Sequence, residues 1–424
     1  MSVINVLIFP AGEINSLELH DALSTCVNIR VYGASSVERH GSYVFENYIP
    51  NLPMIFDEDF IPQFSELINK YNIDVIFPTH DTVALYLMEN SEKIPAKIIG
   101  SSKETAAICR DKQKTYKLFE DTSFIPTLYQ SISTFPVFLK PRVGQGARGT
   151  YIVNSSSDIP CNVNLDDYVI SEYLPGEEYT VDCLTDREGK LIVISPRSRM
   201  RTLAGICVEG KNEELTLDIL EIAEEINRRL FLRGLWWFQI KKDNHNKWKL
   251  LEISVRCSGT MCLTRALGIN IPLMSVYVAM GYDVNAPIKM YGVHMDRALI
   301  ARYKTDFRYD TVYFDFDDTL IVRGKVNLKM IWFLYQCKNN KIRTILLTKH
   351  SHEIYETLRS FHISSDIFDE IIHIPLEDKK SNYIKHENAI FIDNAYKERD
   401  DVYTIKNIPV FDVDNIDVLM NWKI

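Results

Sequence analysis

The sequence predicts an α/β chain of three successive domains, and three of its patterns point there. Over the first part, short apolar strands alternate with helix-length segments, the order that builds a parallel sheet. The middle part is instead rich in strand pairs, a Pro-Gly turn and closely spaced glycines, as an α+β domain requires. The last part returns to strand and helix in alternation, with carboxylates and hydroxyls at the strand ends. A chain of 424 residues suits roughly two to four domains of about 100–200 residues each. The expected segments are 1–104, 105–305 and 306–424.

Composition narrows the function classes. Hydrophobic residues make up 46% of the chain, enough for real cores. The net charge of -9, with Lys and Arg scattered, argues against a nucleic-acid footprint. Since no apolar run approaches the length of a bilayer span, no membrane partner is expected. Met1 to Pro10 lacks a basic leader and reads as a first strand, not a signal peptide. The eight cysteines lie far apart, without CxxC or a Cys/His cluster, which predicts a reduced cytoplasmic protein without zinc.

In the first segment, Asn5 to Phe9, Asn28 to Tyr32, Asp74 to Phe77 and Lys97 to Ile99 read as strands. Leu17 to Leu23, Phe60 to Tyr71 and Thr82 to Met88 read as helices. No G-x-G-x-x-G follows the first strand, so a dinucleotide site is unsupported. His80 and Asp81 stand at a strand end, where such sheets bind ligands, yet read as structural residues.

In the second segment, Phe135 to Lys140 is a strand ending in a lysine, followed by Gly144, Gly146 and Gly149 and a further strand. Glycines at that density let a hairpin close over phosphates with its N–H groups, and the strand-borne lysine adds charge. Tyr168 to Thr180 reads as strand, Pro-Gly turn and strand; Trp236 to Lys241 with Trp248 to Arg256 reads as a hairpin carrying Gln239 and Glu252. Arg197, Arg199 and Arg201 alternate, which on one strand would align three guanidiniums. Such a face repels itself unless an anion meets it, so a clamp on a substrate carboxylate or acyl phosphate is expected. The competing reading is a solvated strand paired with Glu177 or Asp182. Glu213 to Leu230 is an amphipathic helix with Leu215, Ile219, Ile222, Ile226 and Leu230 on one stripe.

On these motifs, Thr105 to Met290 resembles the ATP-grasp superfamily, nearest its carboxylate-activating branch typified by the large subunit of carbamoyl-phosphate synthase. The resemblance implies a pre-ATP-grasp domain ahead of an ATP-grasp domain, with ATP and Mg2+ (Mn2+ as a substitute) as cofactors. It implies that Lys140 and Lys112 touch the phosphates beneath Gly144 to Gly149. The backbone at Glu172, Tyr173 and Leu174 would read adenine, and Glu178 would hold the ribose. Gln239 and Glu252 would be metal ligands with Ser254 beside them, and Arg256 would lie near the transferred phosphate. Ser254 departs from the family's usual Asn, which loosens the hold on a second ion.

In the third segment, the run Thr311 to Leu320 delivers an apolar strand straight into Asp315, Asp317 and Thr319. Alternate residues share a face, so both carboxylates address one phosphate. Thr348 then ends a second apolar strand, Lys379 and Lys380 follow, and Asp393 ends a third. In this order the residues resemble the four motifs of the haloacid-dehalogenase (HAD) superfamily, over about Tyr309 to Ile424. That resemblance implies a Rossmannoid fold without a large cap, with Asp315 as nucleophile and Asp317 as acid and then base. Thr348 and one lysine would hold phosphate, Lys380 being favoured over Lys379 because Ser381 to Ile384 then opens a helix. Asp315, Asp317 and Asp393 would serve Mg2+. A second motif IV acid is missing at Asn394, with Glu398 or Asp400 as substitutes.

The combined expectation is a bifunctional enzyme: an ATP-dependent ligase joining a small-molecule carboxylate to an amine or other nucleophile, fused to a phosphatase acting on a phosphorylated small molecule. Three alternatives stand beside it: an ATP-grasp kinase with an editing phosphatase, one active half beside a degenerate binding half, and a scaffold. Whether the chain forms a homo-oligomer is left open.

Overall fold

The computed structural model describes residues 2–144, 146–161, 163–286 and 291–423, so Gln145 of the glycine loop and Met290 lie outside the described residues. The chain divides into two compact units, Met1–Leu299 with Lys423–Ile424, and Ile300–Trp422. Among the described residues, no helix is long and apolar enough to cross a membrane.

The first unit begins with β1 (Ile4–Phe9), β2 (Ile29–Ala34), β3 (Asn47–Ile49), β4 (Val75–Pro78) and β5 (Lys97–Ile98). They pair in parallel in the order β3-β2-β1-β4-β5. Because β1 is flanked by β2 and β4, the winding reverses there, and a crevice opens beyond the carboxyl ends of β1 and β4. The expected strands and helices recur with ends shifted by a few residues, while the helix Phe60–Tyr71 keeps both ends. It buries Phe60, Phe64, Leu67 and Ile68, one stripe at helical spacing, and stops at Asn72 in the left-handed conformation. His80 is indeed structural: its ring accepts the Thr82 N–H at 3.1 Å and caps the helix Asp81–Glu89.

Next come β6 (Leu128–Tyr129), β7 (Val137–Pro141), β8 (Tyr151–Val153) and β9 (Tyr168–Glu172), an antiparallel sheet in the order β6-β9-β7-β8. The glycine loop is therefore the tip of the β7–β8 hairpin. β10 (Glu178–Thr185), β11 (Leu191–Ser198), β12 (Arg201–Leu203), β13 (Ile206–Lys211), β14 (Gly234–Lys242), β15 (Trp248–Ser254) and β16 (His294–Asp296) complete the unit. They form one sheet ordered β11-β10-β14-β15 and a small one ordered β12-β13-β16. Alternation along β10 and β14 sends Val181, Cys183, Trp236, Phe238 and Ile240 into a core with Ile219, Ile222 and Ile226 of the helix Leu217–Arg229. The opposite face carries Thr180, Asp182, Trp237 and Gln239, while at one end of it Leu184 and Leu235 join a second core with the parallel sheet.

Two expectations fail here. The amphipathic helix starts at Leu217, so Leu215 precedes it and stays exposed. The three arginines do not share one strand. β11 ends at Ser198 and β12 starts at Arg201, and across that break the side chains diverge: Arg197 is buried while Arg201 is exposed.

The second unit contains β17 (Thr311–Phe314), β18 (Ile321–Val322), β19 (Lys325–Val326), β20 (Arg343–Thr348), β21 (Glu370–His373), β22 (Ala389–Ile392) and β23 (Val410–Phe411). Its parallel sheet has the order β21-β20-β17-β22-β23, with β18 and β19 as a separate hairpin. Near-continuous apolar strands are what a sheet covered on both faces needs. Phe314, Leu346 and Ile392 pack on one side, and Tyr313, Ile345, Leu347 and Phe391 on the other. With β17 central, the residues that leave β17, β20 and β22 come out side by side.

Candidate active sites

Strand register builds the first site. Arg197 pairs with Thr180, Thr180 with Gln239, and Gln239 with Glu252. These residues form one row across four strands, on the face opposite the apolar core, and all line a cleft of about 380 Å³. That volume lies in the range of small-ligand pockets. The row two residues along, Ser195, Asp182, Trp237 and Ser254, follows from the same register. The crevice of the parallel sheet adds Glu13, Asn15 and Thr79 to the lining.

Lys140 enters the cleft from β7 and is 4% exposed. Its ammonium donates to the Tyr116 hydroxyl and to the Leu251 carbonyl, the latter at 3.2 Å. Burial, reinforced by the charge on Lys112, pushes Lys140 down to about 7. Lys112 lies 3.7 Å from Glu252. Gly144 anchors the glycine loop, its carbonyl accepting from Arg110 at 3.0 Å. At the loop's tip Gly146 (φ +63°) meets Gly205 (φ +78°), where a Cβ on Gly205 would lie 2.5 Å from the Gly146 carbonyl. Only glycine allows that approach.

The arginines are met by carboxylates of the protein. Arg197 makes a two-pronged contact with fully buried Asp182, at 2.8 and 3.1 Å, and donates to Ser258 and Thr260. Arg199 pairs with Glu178 at 2.7 Å and donates to the Gly205 carbonyl at 3.0 Å. Arg201 pairs with Glu209 at 3.1 Å and with Asp296, and it is not among the cleft residues. A single three-arginine clamp is therefore not formed, because the strand break sends each guanidinium to its own partner.

Arg256 donates to Asp81 at 2.9 Å, and the Ser254 hydroxyl donates to the same carboxylate at 2.7 Å. Burial opposes the charge on Asp81, but Arg256, Ser254 and Arg110 outweigh it and hold the carboxyl below its usual range. Asp81 thus fixes the arginine, a link between residues 175 apart in sequence.

The cleft gathers Lys112, Lys140, Gly144, Gly146, Glu178, Arg197, Arg199, Gln239, Glu252 and Arg256. Gly149, Glu172, Tyr173, Leu174 and Ser254 are not among its lining residues. The Glu172 carboxylate accepts the Thr127 N–H at 2.7 Å, and Glu178 also accepts from Gln239 and pairs with Lys241 at 3.3 Å. Tyr116, Asp81, Asp182, Ser258 and Thr260 were not singled out as site residues from the sequence.

Among the described residues no group of three or more His, Cys, Asp or Glu is arranged to hold a metal. Gln239 and Glu252 supply adjacent hard oxygens, a set that suits Mg2+ when phosphates and water complete its shell.

In the second unit, Lys380 lies 2.5 Å from Asp315 and 2.6 Å from Asp393, all three buried. Burial, with Asp393 nearby, pushes Asp315 up to about 6 even though Lys380 pulls it down. Burial opposes the charge on Lys380 too, but the two carboxylates outweigh it and hold the ammonium above its usual range. Thr319 donates to Asp315 at 3.2 Å. The Thr348 hydroxyl, fully buried at the end of β20, has no hydrogen-bond partner among the described residues. An unsatisfied buried hydroxyl costs about 1–3 kcal/mol.

Lys379 is exposed and pairs with Asp401 at 2.6 Å, so Lys380 is the lysine in the cluster. Only a short 3-10 turn, Lys380–Tyr383, follows it in place of the expected helix. Asp317 is exposed and faces His350. Glu398 pairs with Lys349 at 2.6 Å, and Asp400 is exposed.

The chain is similar in fold to proteins of known structure. The family model described as "ATP-grasp in the biosynthetic pathway with Ter operon" matches residues 164–297, less than half of the chain. Biotin carboxylase from Campylobacter jejuni superposes with a TM-score of 0.55 at 17% identity, covering 67% of this chain and 72% of that one. N5-carboxyaminoimidazole synthetase from Staphylococcus aureus gives 0.59 at 14% identity, covering 70% and 83%. The L-amino acid ligase from Bacillus licheniformis gives 0.55 at 15% identity, covering 66% and 75%. No curated protein matches significantly in sequence. The first unit therefore has an ATP-grasp fold.

Two outcomes test this geometry. Asp182→Ala strands the Arg197 charge inside the protein, so it should cost about 3–5 kcal/mol of stability. Chemical denaturation of the intact chain measures this, and a loss below about 1 kcal/mol would contradict the buried pair. Lys140 provides the second test. A bound phosphate would raise the lysine above its free value near 7, so binding is fully favoured below pH 7 and weakens as pH rises through the bound-state value. At pH 8, ATP binding should be accompanied by net proton uptake, read by calorimetry in buffers of different ionisation heat. No proton uptake would place the phosphates away from Lys140.

Proposed function

We propose that the first unit activates a small-molecule carboxylate with ATP and joins it to a nucleophile, and that the second unit is a phosphatase of the HAD type. The observation that carries the first half is that the row Arg197, Thr180, Gln239 and Glu252 lines one cleft together with Lys140. Cations for phosphate and oxygens for a metal stand together there. The glycine loop over the cleft adds backbone N–H donors. The neighbouring structures, named as a biotin carboxylase, a carboxyaminoimidazole synthetase and an amino acid ligase, support the same class.

Bound Mg2+ would be held by Gln239 and Glu252 and would neutralise charge on the phosphates. The residues of the chain do the rest. Lys140 and Lys112 hold the β- and γ-phosphates, which restores the full charge of Lys140. Arg256, oriented by Asp81 and lying over the Trp237 ring, steadies the carboxylate beside the γ-phosphate. A carboxylate oxygen attacks the γ-phosphorus, the bond to the β-phosphate oxygen breaks, and ADP leaves. The nucleophile then attacks the acyl carbon, loses its proton and expels phosphate. Arg197, seated beside Ser258 and Thr260, supplies a second anionic grip, and Arg199 serves the loop through Gly205. Arg201 takes no part.

In the second unit, the carrying observation is the cluster of Asp315, Asp393 and Lys380, with the Thr348 hydroxyl, unpaired among the described residues, ending the strand β20 beside β17. A phosphate would give that hydroxyl its missing acceptor. Asp315 and Asp393 offer oxygens that suit Mg2+, which would shield the phosphate from the nucleophile's charge. Asp315 attacks phosphorus, the ester oxygen leaves with a proton from Asp317, and an aspartyl-phosphate forms. Water, losing a proton to Asp317, then attacks that phosphorus and frees inorganic phosphate and Asp315.

Separate variants of the intact chain test the two halves. Asp315→Asn should lower phosphate release from phosphoesters at least about a thousandfold and leave ATP consumption in place. Glu252→Gln should do the converse, cutting ADP formation by roughly a hundredfold or more. Loss of both activities in either variant would rule out independent sites.

A further inference from the structure

The second unit contains a hydrogen-bonded chain that its proposed chemistry has not yet used. The His350 ring is buried, with 8% of its side chain exposed, whereas 57% of the Asp317 side chain is exposed. His350 Nδ1 lies 3.0 and 2.9 Å from the two oxygens of Asp317. On the other side, the Thr357 hydroxyl donates to the Glu353 carbonyl at 3.0 Å, so its oxygen accepts from the ring. His350 Nε2 meets that oxygen at 3.0 Å. The Phe316 ring packs edge-on, with centroids 5.1 Å apart, and His373 donates to the His350 backbone carbonyl at 2.6 Å. The imidazole is thus held at both nitrogens and by the Phe316 edge contact, and it reaches a carboxylate that is otherwise largely exposed.

This arrangement separates the carboxylates. Lys380 pairs with Asp315 and Asp393, and Asp317 pairs with His350. An exposed aspartate two residues from Asp315, which pairs with the buried Lys380 ammonium, would otherwise be drawn toward that ammonium, or toward any metal bound there. It would then stand on the wrong oxygen of the substrate. Effective proton transfer needs the acid within hydrogen-bond reach of the leaving oxygen, and a misplacement of about 1 Å can cost a hundredfold.

From this geometry we infer that His350 is the positioning residue for Asp317, holding it at the mouth of the site where the leaving-group oxygen departs. The inference rests on the phosphatase reading of this unit. It also bears on substrate class, since a dedicated anchor for the acid matters only when the leaving group needs a proton. An alkyl phosphate, with a basic alkoxide leaving group, fits that requirement better than an aryl phosphate or an anhydride.

The test compares two probes on the full chain: glycerol phosphate, whose leaving group needs protonation, and p-nitrophenyl phosphate, whose leaving group departs as the anion. His350→Ala should lower kcat for glycerol phosphate by at least about thirtyfold more than for p-nitrophenyl phosphate, with KM for both nearly constant. His350→Gln, which keeps a donor, should recover part of the difference. Thr357→Val, which leaves the imidazole in place but unties it, should give the same pattern more weakly. An equal fall on both probes would mark His350 as merely structural and overturn the inference, as would no fall on either. If the parent chain hydrolyses neither probe, or Asp315→Asn retains its turnover, the phosphatase reading itself fails and the inference goes with it. Loss in Asp315→Asn together with equal falls in His350→Ala would sink only the inference.

Discussion

The first unit depends on the pairing register of its four-stranded antiparallel sheet. Side chains alternate with a period of two, so slipping β14 by one residue would bury Gln239 and turn Phe238 into the cleft. The apolar face prevents that slip: Trp236, Phe238 and Ile240 are anchored in a core with the helix Leu217–Arg229. Packing on one side of the sheet thereby fixes chemistry on the other. Arg197, Thr180, Gln239 and Glu252 owe their alignment to hydrophobic burial more than to their own contacts. The bulge between Gln239 and Ile240 leaves the row intact because it falls beyond the Gln239–Glu252 pair.

Charge is arranged by the same economy in both units. Buried ionic groups persist only when paired, since an unpaired charge taken from water costs several kcal/mol. The cleft meets this with Asp182 for Arg197, Asp81 for Arg256 and Glu178 for Arg199. Lys140 is the exception. It has a hydroxyl and a carbonyl for company, and burial brings it to about 7. Among the described residues its direct hydrogen-bond partners are neutral, while the Glu252 and Glu178 charges pull its pKa up less than burial pushes it down. In the second unit, the buried Thr348 hydroxyl has no hydrogen-bond partner among the described residues.

Much of this was legible in the sequence where the signal is local. Lys140, Asp315, Thr348 and Asp393 stand at or just past the ends of apolar strands, and strands announce their ends through the residues that follow them. The Gln239–Glu252 pair was legible as two strands of one hairpin. What escaped lies in contacts that no local period encodes. Ser254 and Asp81 are 173 residues apart, Tyr116 and Leu251 are 135 apart, and His350 and Asp317 are 33 apart. The strand β3, three residues long, is too short to show alternation. The arginine reading failed for a related reason: alternation predicts a shared face only while the strand lasts, and β11 stops after Ser198. The choice between Lys379 and Lys380 likewise needed the third dimension, although the preference for Lys380 rested on a helix that proved to be a single tight turn.

The central claim is that the cleft under the glycine loop is a nucleotide site whose phosphates lie between Lys140 and the Gln239–Glu252 pair. A crystal structure of the intact chain with Mg2+ and a non-hydrolysable ATP analogue tests it most directly. The terminal phosphates should lie within hydrogen-bond reach of Lys140, beneath Gly144 and Gly146, with the metal on Glu252. A nucleotide bound elsewhere at full occupancy, or an empty cleft at saturating analogue, would contradict it.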